Sequence, residues 1–172
     1  YMGKINYSSR QLLGLINDIL EMSRVQKGKI TIENSDFDLK AVIGDYTAPF
    51  AIQAERENKK FSVSFQVRNH KVRGDAFRLG QVMNNLLSNA FKFTKPGDSI
   101  SVCIRQEELS EDRFCIIVSD TGAGMSEEFL TRLFLPYERE TRFGAKYIAG
   151  TGLGMAIVKS IVSQMDGQIK VD

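Results

Sequence analysis

Two apolar periodicities, one near 3.6 residues and one of two, divide the chain into alternating helical and extended segments. From Ile5 to Met22, the residues Ile5, Leu12, Ile16 and Ile19 keep a heptad-like spacing widened by Leu13, Leu15, Leu20 and Met22, which predicts a helix with a broad apolar face. Gln26 to Lys29 reads as its stop, with Gly28 near the C-terminus and lysines favouring the dipole. Lys29 to Glu33 alternates as a short strand, and Leu39 to Glu57 returns to helical spacing through Val42, Ile43, Tyr46, Phe50 and Ala54. Phe61, Val63, Phe65 and Val67 alternate with Ser62, Ser64 and Gln66, as a half-buried strand should. Asp75 then starts a helix that ends near Thr94, before Lys95-Pro96-Gly97-Asp98.

The second half repeats the mixture. Ile100 to Glu107 and Phe114 to Asp120 read as neighbouring strands joined by a polar connection, and Ser126 caps a helix whose first turn carries Glu127 and Glu128. Arg139 to Gly150 is a polar loop, Thr151 to Met165 is helical through Leu153, Ile157, Ile161 and Val162, and Gln168 to Asp172 opens a last strand. Such a sequence of elements predicts an α/β protein: a two-layer sandwich in which a mixed sheet is covered on one face by helices.

Composition narrows the picture. With 172 residues and 42% hydrophobic content, one core is expected, with an appendage rather than a second full domain. A net charge of +2 from 23 basic and 21 acidic residues, without a long like-charge block, argues against a nucleic-acid partner or a polybasic membrane patch. No run approaches the roughly 20 apolar residues of a bilayer span, and no signal-peptide pattern opens the chain, so a cytoplasmic location without direct membrane contact is expected. Cys103 and Cys115 lack metal-type spacing and are expected to be buried, reduced thiols.

Three short motifs carry candidate chemistry. Asn85 and Asn89 lie four apart on one helical face, where neutral amide oxygens could reach a phosphate-bound Mg²⁺, and Lys92 shares that face. Asp120 ends an apolar strand, where its carboxylate can accept amino hydrogens, and Gly122 and Gly124 follow without a Cβ to hinder close approach. Gly150, Gly152 and Gly154 lead into a helix whose first N–H groups suit phosphate oxygens, with Thr151 adding a hydroxyl. Neither the dinucleotide-fold glycine pattern nor a P-loop ending is present.

The ordered set, Asn85 to Thr94, Asp120 to Met125 and Gly150 to Met155, resembles the N box and the two glycine boxes of the ATP-binding domain of sensor histidine kinases, a branch of the GHKL superfamily. Leu133 to Tyr137 resembles the intervening F box, with Tyr137 where phenylalanine is usual, and Leu12 to Arg24 resembles the second helix of the dimerisation and phosphoacceptor hairpin. The resemblance implies an ATP site in which Asn89 ligates Mg²⁺, Asn85 and Lys92 line the phosphates and Asp120 reads adenine. It further implies that Gly122, Gly124, Met125, Leu133, Arg139, Gly150, Thr151, Gly152, Leu153 and Gly154 line the remainder, Arg139 from a lid. Asp166 stands where the family has glycine, a change that turn geometry tolerates.

By the same resemblance, residues 1–28 are part of the dimerisation helix and 29–172 the catalytic domain, its C-terminal end truncated. Gyrase-type and chaperone-type relatives place a water-activating glutamate one turn before the metal asparagine; here that position is Asn85, which cannot accept a proton. Phosphoryl transfer to a histidine is therefore expected over an ATPase clamp. The sole histidine, His70, lacks the family's acceptor context, so the acceptor is expected on the missing first helix of the hairpin. Implied partners are ATP, a second protomer's dimerisation helices and a response-regulator receiver domain. The implied setting is the cytoplasm, including the cytoplasmic part of a membrane-anchored receptor. A non-catalytic interaction module with a degenerate pocket is the alternative from another class.

Overall fold

The computed structural model describes residues 13–17, 19–24, 31–107, 113–140 and 150–172. The chain divides into two compact units: Ile32–Gly124, and Met125–Asp172 with the described residues up to Thr31.

In the first unit, β1 (Ser35–Asp38) leads into α2 (Leu39–Arg56), followed by β2 (Lys60–Gln66), β3 (Lys71–Gly74), α3 (Ala76–Phe93), β4 (Ser99–Gln106) and β5 (Phe114–Asp120). The label α1 is kept for the helical residues 13–17 and 19–24. β4 is central, parallel to β2 and antiparallel to β5, while β1 and β3 form a separate antiparallel pair.

Alternation along β4 sends Ile100, Val102 and Ile104 inward, each at most 1% exposed, to join Leu39, Ile43, Phe50, Ala54, Met83, Leu87, Ala90 and Phe91 from the two helices. Each large side chain fully buried here is worth roughly 1.5–3 kcal/mol. This is the expected mixed sheet with one helix-covered face.

The helix boundaries have local causes. Asp38 caps α2 by accepting the Ala41 N–H, and the chain leaves that helix through Asn58 at φ 53°. Asp75, itself buried, caps α3: Oδ1 accepts the Arg78 N–H and Oδ2 the Glu33 N–H, both at 2.9 Å. At the other end of α3 the Lys59 ammonium donates to the Phe91 carbonyl at 2.6 Å and pairs with Glu57 at 2.8 Å. That lysine side chain is only 5% exposed, so the pairing supports a charge withdrawn from water.

The second unit holds α4 (Glu127–Leu130), capped by Ser126, and α5 (Gly154–Gln164), with Ala156, Ile157, Val158 and Ile161 buried. Its α5 ends in a turn through Asp166 at φ 55°, the turn geometry expected of that aspartate. In α1, Leu13, Leu15, Ile16, Ile19 and Leu20 are exposed and Met22 is buried. The rest of the expected N-terminal helix, its stop at Gln26 to Lys29 and residues 141–149 of the expected loop lie outside the described residues.

Several expectations need correction. Residues 31–33 of the strand expected at Lys29 to Glu33 are irregular, and the strand lies at Ser35–Asp38. Its partner β3 occupies residues for which no strand was expected. Gln168 to Asp172 forms no strand, because alternation supplies a face but not a ladder partner. The cysteines are not buried: Cys103 is half-buried and Cys115 exposed. Their neighbours Val102 and Ile104 take the core side of β4, and pleating sends Cys103 to the open face, where Ser64 and then Arg105 hold its thiol below the usual range.

Candidate nucleotide site

Each unit contributes its own set of candidate residues. In the first, α3 displays Asn85, Asn89 and Lys92 along its C-terminal half, all half-buried. The Asn85 Nδ2 donates to the Gln81 carbonyl at 3.1 Å, which orients its amide and leaves Oδ1 for another donor or a cation. Among the described residues, none hydrogen-bonds the Asn89 side chain. The Lys92 ammonium lies 4.9 Å from the centre of the Phe93 ring, so its stem is held beside the helix end.

The end of β5 meets this same helix terminus. Asp120 is exposed, and its Oδ1 accepts the Gly122 N–H at 2.8 Å, committing one carboxylate oxygen to the turn. Ala123 donates to the Phe93 carbonyl at 3.3 Å. A Cβ on Gly122 would run into that Phe93 carbonyl oxygen, so glycine here permits the loop to dock on α3. Thr121 and Ser99 exchange two bonds of 3.0 Å, fixing the loop to the start of β4. The structure thus brings the first glycine motif to the end of the asparagine-bearing helix.

In the second unit, the glycine loop and the Leu133 to Tyr137 motif come together. The Tyr137 N–H donates to the Gly152 carbonyl at 2.9 Å. Gly152 has φ +72°, and a Cβ on it would lie 2.7 Å from the Tyr137 carbonyl carbon and 2.9 Å from the Glu138 oxygen. Tyr137 contributes backbone rather than ring: its φ is 68° and its side chain is 65% exposed. Leu133 and Leu153 are buried, Met125 is 40% exposed and Arg139 is half-buried.

The start of α5 differs from the other described helix starts. Asp38, Asp75 and Ser126 cap α2, α3 and α4 with side-chain oxygens, whereas Leu153 at the start of α5 makes no such bond. The nearby Thr151 Oγ1 accepts the Leu153 N–H at 3.2 Å. Gly154, Met155 and Ala156 are thus left as first-turn donors, the arrangement that receives phosphate oxygens.

No cluster of three or more histidine, cysteine or acidic side chains suited to a metal occurs among the described residues. A hard cation at Asn89 fits only if phosphate oxygens supply most of its ligands, and the unbonded amide is compatible with that arrangement. Two residues missed by the sequence reading also belong near the second-unit set. Glu140 accepts from both the N–H and Oγ of Ser126, and Arg132 bonds Glu138 at 2.8 Å.

The chain belongs to the family of histidine kinase-, DNA gyrase B- and HSP90-like ATPases, whose model matches residues 74–172. It is 33% identical to the sensor protein GacS of Pseudomonas syringae pv. syringae over 100% of this chain and 19% of that protein. The chain spans about a fifth of the length of the curated relatives it matches. Its fold is shared with the histidine kinase AdeS of Acinetobacter baumannii, at TM-score 0.73 and 22% identity, over 94% of this chain and 72% of that one. Full-length ShkA, solved in complex with AMPPNP, aligns at TM-score 0.80 and 23% identity over 96% of this chain and 34% of its own. No described helix is long and apolar enough to cross a membrane.

Proposed function

We propose that this chain is the ATP-binding catalytic portion of a two-component sensor histidine kinase. The γ-phosphoryl of Mg-ATP goes to a histidine outside these residues, for onward transfer to a response-regulator aspartate. Residues 1–28 would be part of the dimerisation and phosphoacceptor helix of a homodimer, and 29–172 the catalytic domain. A cytoplasmic setting, in a soluble kinase or below a membrane-anchored receptor, suits that reaction.

The observation that carries the reading is the start of α5, where a glycine loop opens a helix whose N-cap residue, Leu153, supplies no side-chain cap. Gly150, Thr151, Gly152, Leu153 and Gly154 would receive phosphate oxygens there, with Arg139 adding charge. Asp120 would accept the adenine amino hydrogens on its uncommitted oxygen, and Gly122, Gly124, Met125 and Leu133 would be further nucleotide-binding residues. Asn85 and Lys92 would face the phosphates, and Asn89 would hold Mg²⁺. When bound, Mg²⁺ supplies neutralisation of phosphate charge; positioning and electrostatics dominate phosphoryl transfer.

Three features weigh against the other assignments. An amide at Asn85 cannot take a proton from water, which disfavours an ATPase motor. His70 is engaged in the fold: its carbonyl accepts the Leu39 N–H and its ring meets Phe65 edge-on. Thirdly, shared identity with GacS extends through the segment preceding the family-matched region.

The test is Mg²⁺-dependent ATP binding by titration calorimetry, with Asn89→Ala and Asp120→Ala as separate probes of metal and adenine. Saturable binding weakened by both changes is expected. A folded chain that binds no ATP would overturn the reading in favour of an interaction module.

A further inference from the structure

We propose that Lys59 is a positioning residue for the nucleotide site: its buried ammonium holds the last turn of α3, and with it the Phe93 carbonyl on which the first glycine motif docks. The inference rests on the nucleotide reading above, and its basis lies within the Ile32–Gly124 unit. Carbonyls at the end of a helix lack intrahelical donors, and those of α3 are met from outside. The Thr94 hydroxyl donates to the Ala90 and Phe91 carbonyls, at 2.7 and 3.3 Å. Lys59 Nζ donates to the same Phe91 carbonyl at 2.6 Å. Two residues on, the Phe93 carbonyl accepts the Ala123 N–H at 3.3 Å.

The lysine is itself held in place. Its side chain is 5% exposed, and the ammonium pairs with Glu57 at 2.8 Å and lies 5.3 Å from the centre of the Phe91 ring. The other oxygen of Glu57 accepts from the Gln53 amide at 2.8 Å, so the carboxylate is oriented from α2. Main-chain bonds flank the lysine: the Asn58 carbonyl accepts the Gly97 N–H at 2.7 Å, and the Lys60 N–H donates to the Asp98 carbonyl at 2.8 Å. Residues 57–60 thus hold the end of α3 by a side chain and the turn after it by two backbone bonds. A largely buried ion pair adds little net stability over a hydrocarbon of like volume. What the ammonium adds is direction, because it donates at once to a carbonyl and to a carboxylate. A Cβ on Gly122 would lie 2.4 Å from the Phe93 oxygen, so the loop sits hard against this carbonyl and a shift of the last helical turn is passed to it. Asp120, whose Oδ1 accepts the Gly122 N–H, shifts with the loop.

Lys59→Met, which keeps the length of the side chain without its ammonium, tests this in the full chain, with Lys59→Gln as a second variant should the apolar one fail to fold. The control is Asp75→Ala, which weakens the opposite end of the same helix. Affinities for adenosine and ATP are measured by titration calorimetry at a temperature where circular dichroism shows each protein folded. Both ligands are expected to bind the Lys59 variants about fivefold more weakly, the scale of coupling between packed neighbours, and to bind Asp75→Ala as they bind the wild type. Amide exchange at Ala123 is expected to quicken about fivefold in the Lys59 variants, with Leu79, bonded to Asp75 at the start of α3, unchanged. Adenosine affinity equal to wild type, unchanged exchange at Ala123, or an equal loss of affinity in Asp75→Ala would each overturn the proposal. A wild-type chain that binds neither ligand would sink the nucleotide reading and this inference with it, whereas wild-type binding untouched by the Lys59 changes sinks this inference alone.

Discussion

The starts of α3 and α5 solve the same backbone problem in opposite ways. Each helix buries several apolar side chains and each begins with N–H groups that the helix cannot satisfy. At α3 the Asp75 carboxylate is installed among those donors and also binds the Glu33 N–H, so the end is closed and already carries an anion. At α5 the donors follow a glycine loop without a side-chain cap, which forgoes about 1 kcal/mol of ordinary capping. A closed start is a structural joint; the open one, in the same chain, is where the proposed phosphate site lies.

The strongest way to break this contrast is Gly152→Ala. The substitution meets both a φ of +72° and the Tyr137 and Glu138 backbone, so the loop must shift. ATP affinity is expected to fall about a hundredfold, close to 2.7 kcal/mol, with the far-ultraviolet spectrum of the fold retained. Retained wild-type affinity would mean that the loop geometry is irrelevant to the ligand.

Asp75→Ala attacks the closed end. Removing both bonds of a buried carboxylate is expected to lower unfolding free energy by about 2 kcal/mol, visible in the urea midpoint. ATP affinity of the folded fraction should not change. A stability loss confined to a few tenths would show that Glu33 and Arg78 find other acceptors.

Thr151→Asp sharpens the comparison by making the open end resemble the closed one. A carboxylate beside the Leu153 N–H would hold the loop as Thr151 does, while repelling phosphate. Thermal stability is expected to stay within about 0.5 kcal/mol, with ATP binding weakened about tenfold and adenosine binding intact. Equal weakening of the two ligands would argue against phosphate at this helix start.

How much of this could be read from sequence depends on whether the signal is local. The limits of α2 and α3 were legible because a cap, a long apolar stripe and a terminating turn all lie within one window: Asp75 begins α3, and Thr94 with Pro96 follows it. By contrast, β1 and β3 each have four residues and one apolar side chain facing the other, Phe37 against Val72. So short an alternation carries almost no period, and the pairing that creates both strands spans more than thirty positions. The cysteine error had a different origin. Residue type suggested burial, whereas the parity of Ile100, Val102 and Ile104 already assigned Cys103 to the other face.

The candidate site follows the same rule. Its glycine and asparagine motifs are contiguous and were visible, together with the helix start that Gly150 to Gly154 would open. Lys59 was not, because its importance comes from the Phe91 carbonyl, 32 residues away in a different element. Tyr137 could be recognised as an aromatic in the right motif, but not as a residue whose backbone would carry its contact with Gly152.

The smallest expected effect concerns the cap of α2, an exposed counterpart of the Asp75 cap. The Asp38 carboxyl is held below its ordinary value of 3.8, first by the Ala41 N–H and then by the Lys40 N–H and the nearby charges of His70 and Lys40, with desolvation opposing. A depressed carboxyl pKa means that the folded state releases the proton more readily than the unfolded one. The stabilisation is therefore complete above 3.8 and is lost as pH falls through the lower folded-state value. Urea midpoints measured from neutral pH downwards should decline more gently below that point in Asp38→Asn than in the wild type. The amide oxygen can still accept the Ala41 N–H, so the two proteins should nearly coincide at neutral pH. Identical acid slopes would show that this cap acts as a neutral hydrogen-bond acceptor, leaving charge at a helix start to matter only where the carboxylate is buried, as at α3, or where a phosphate would take its place, as at α5.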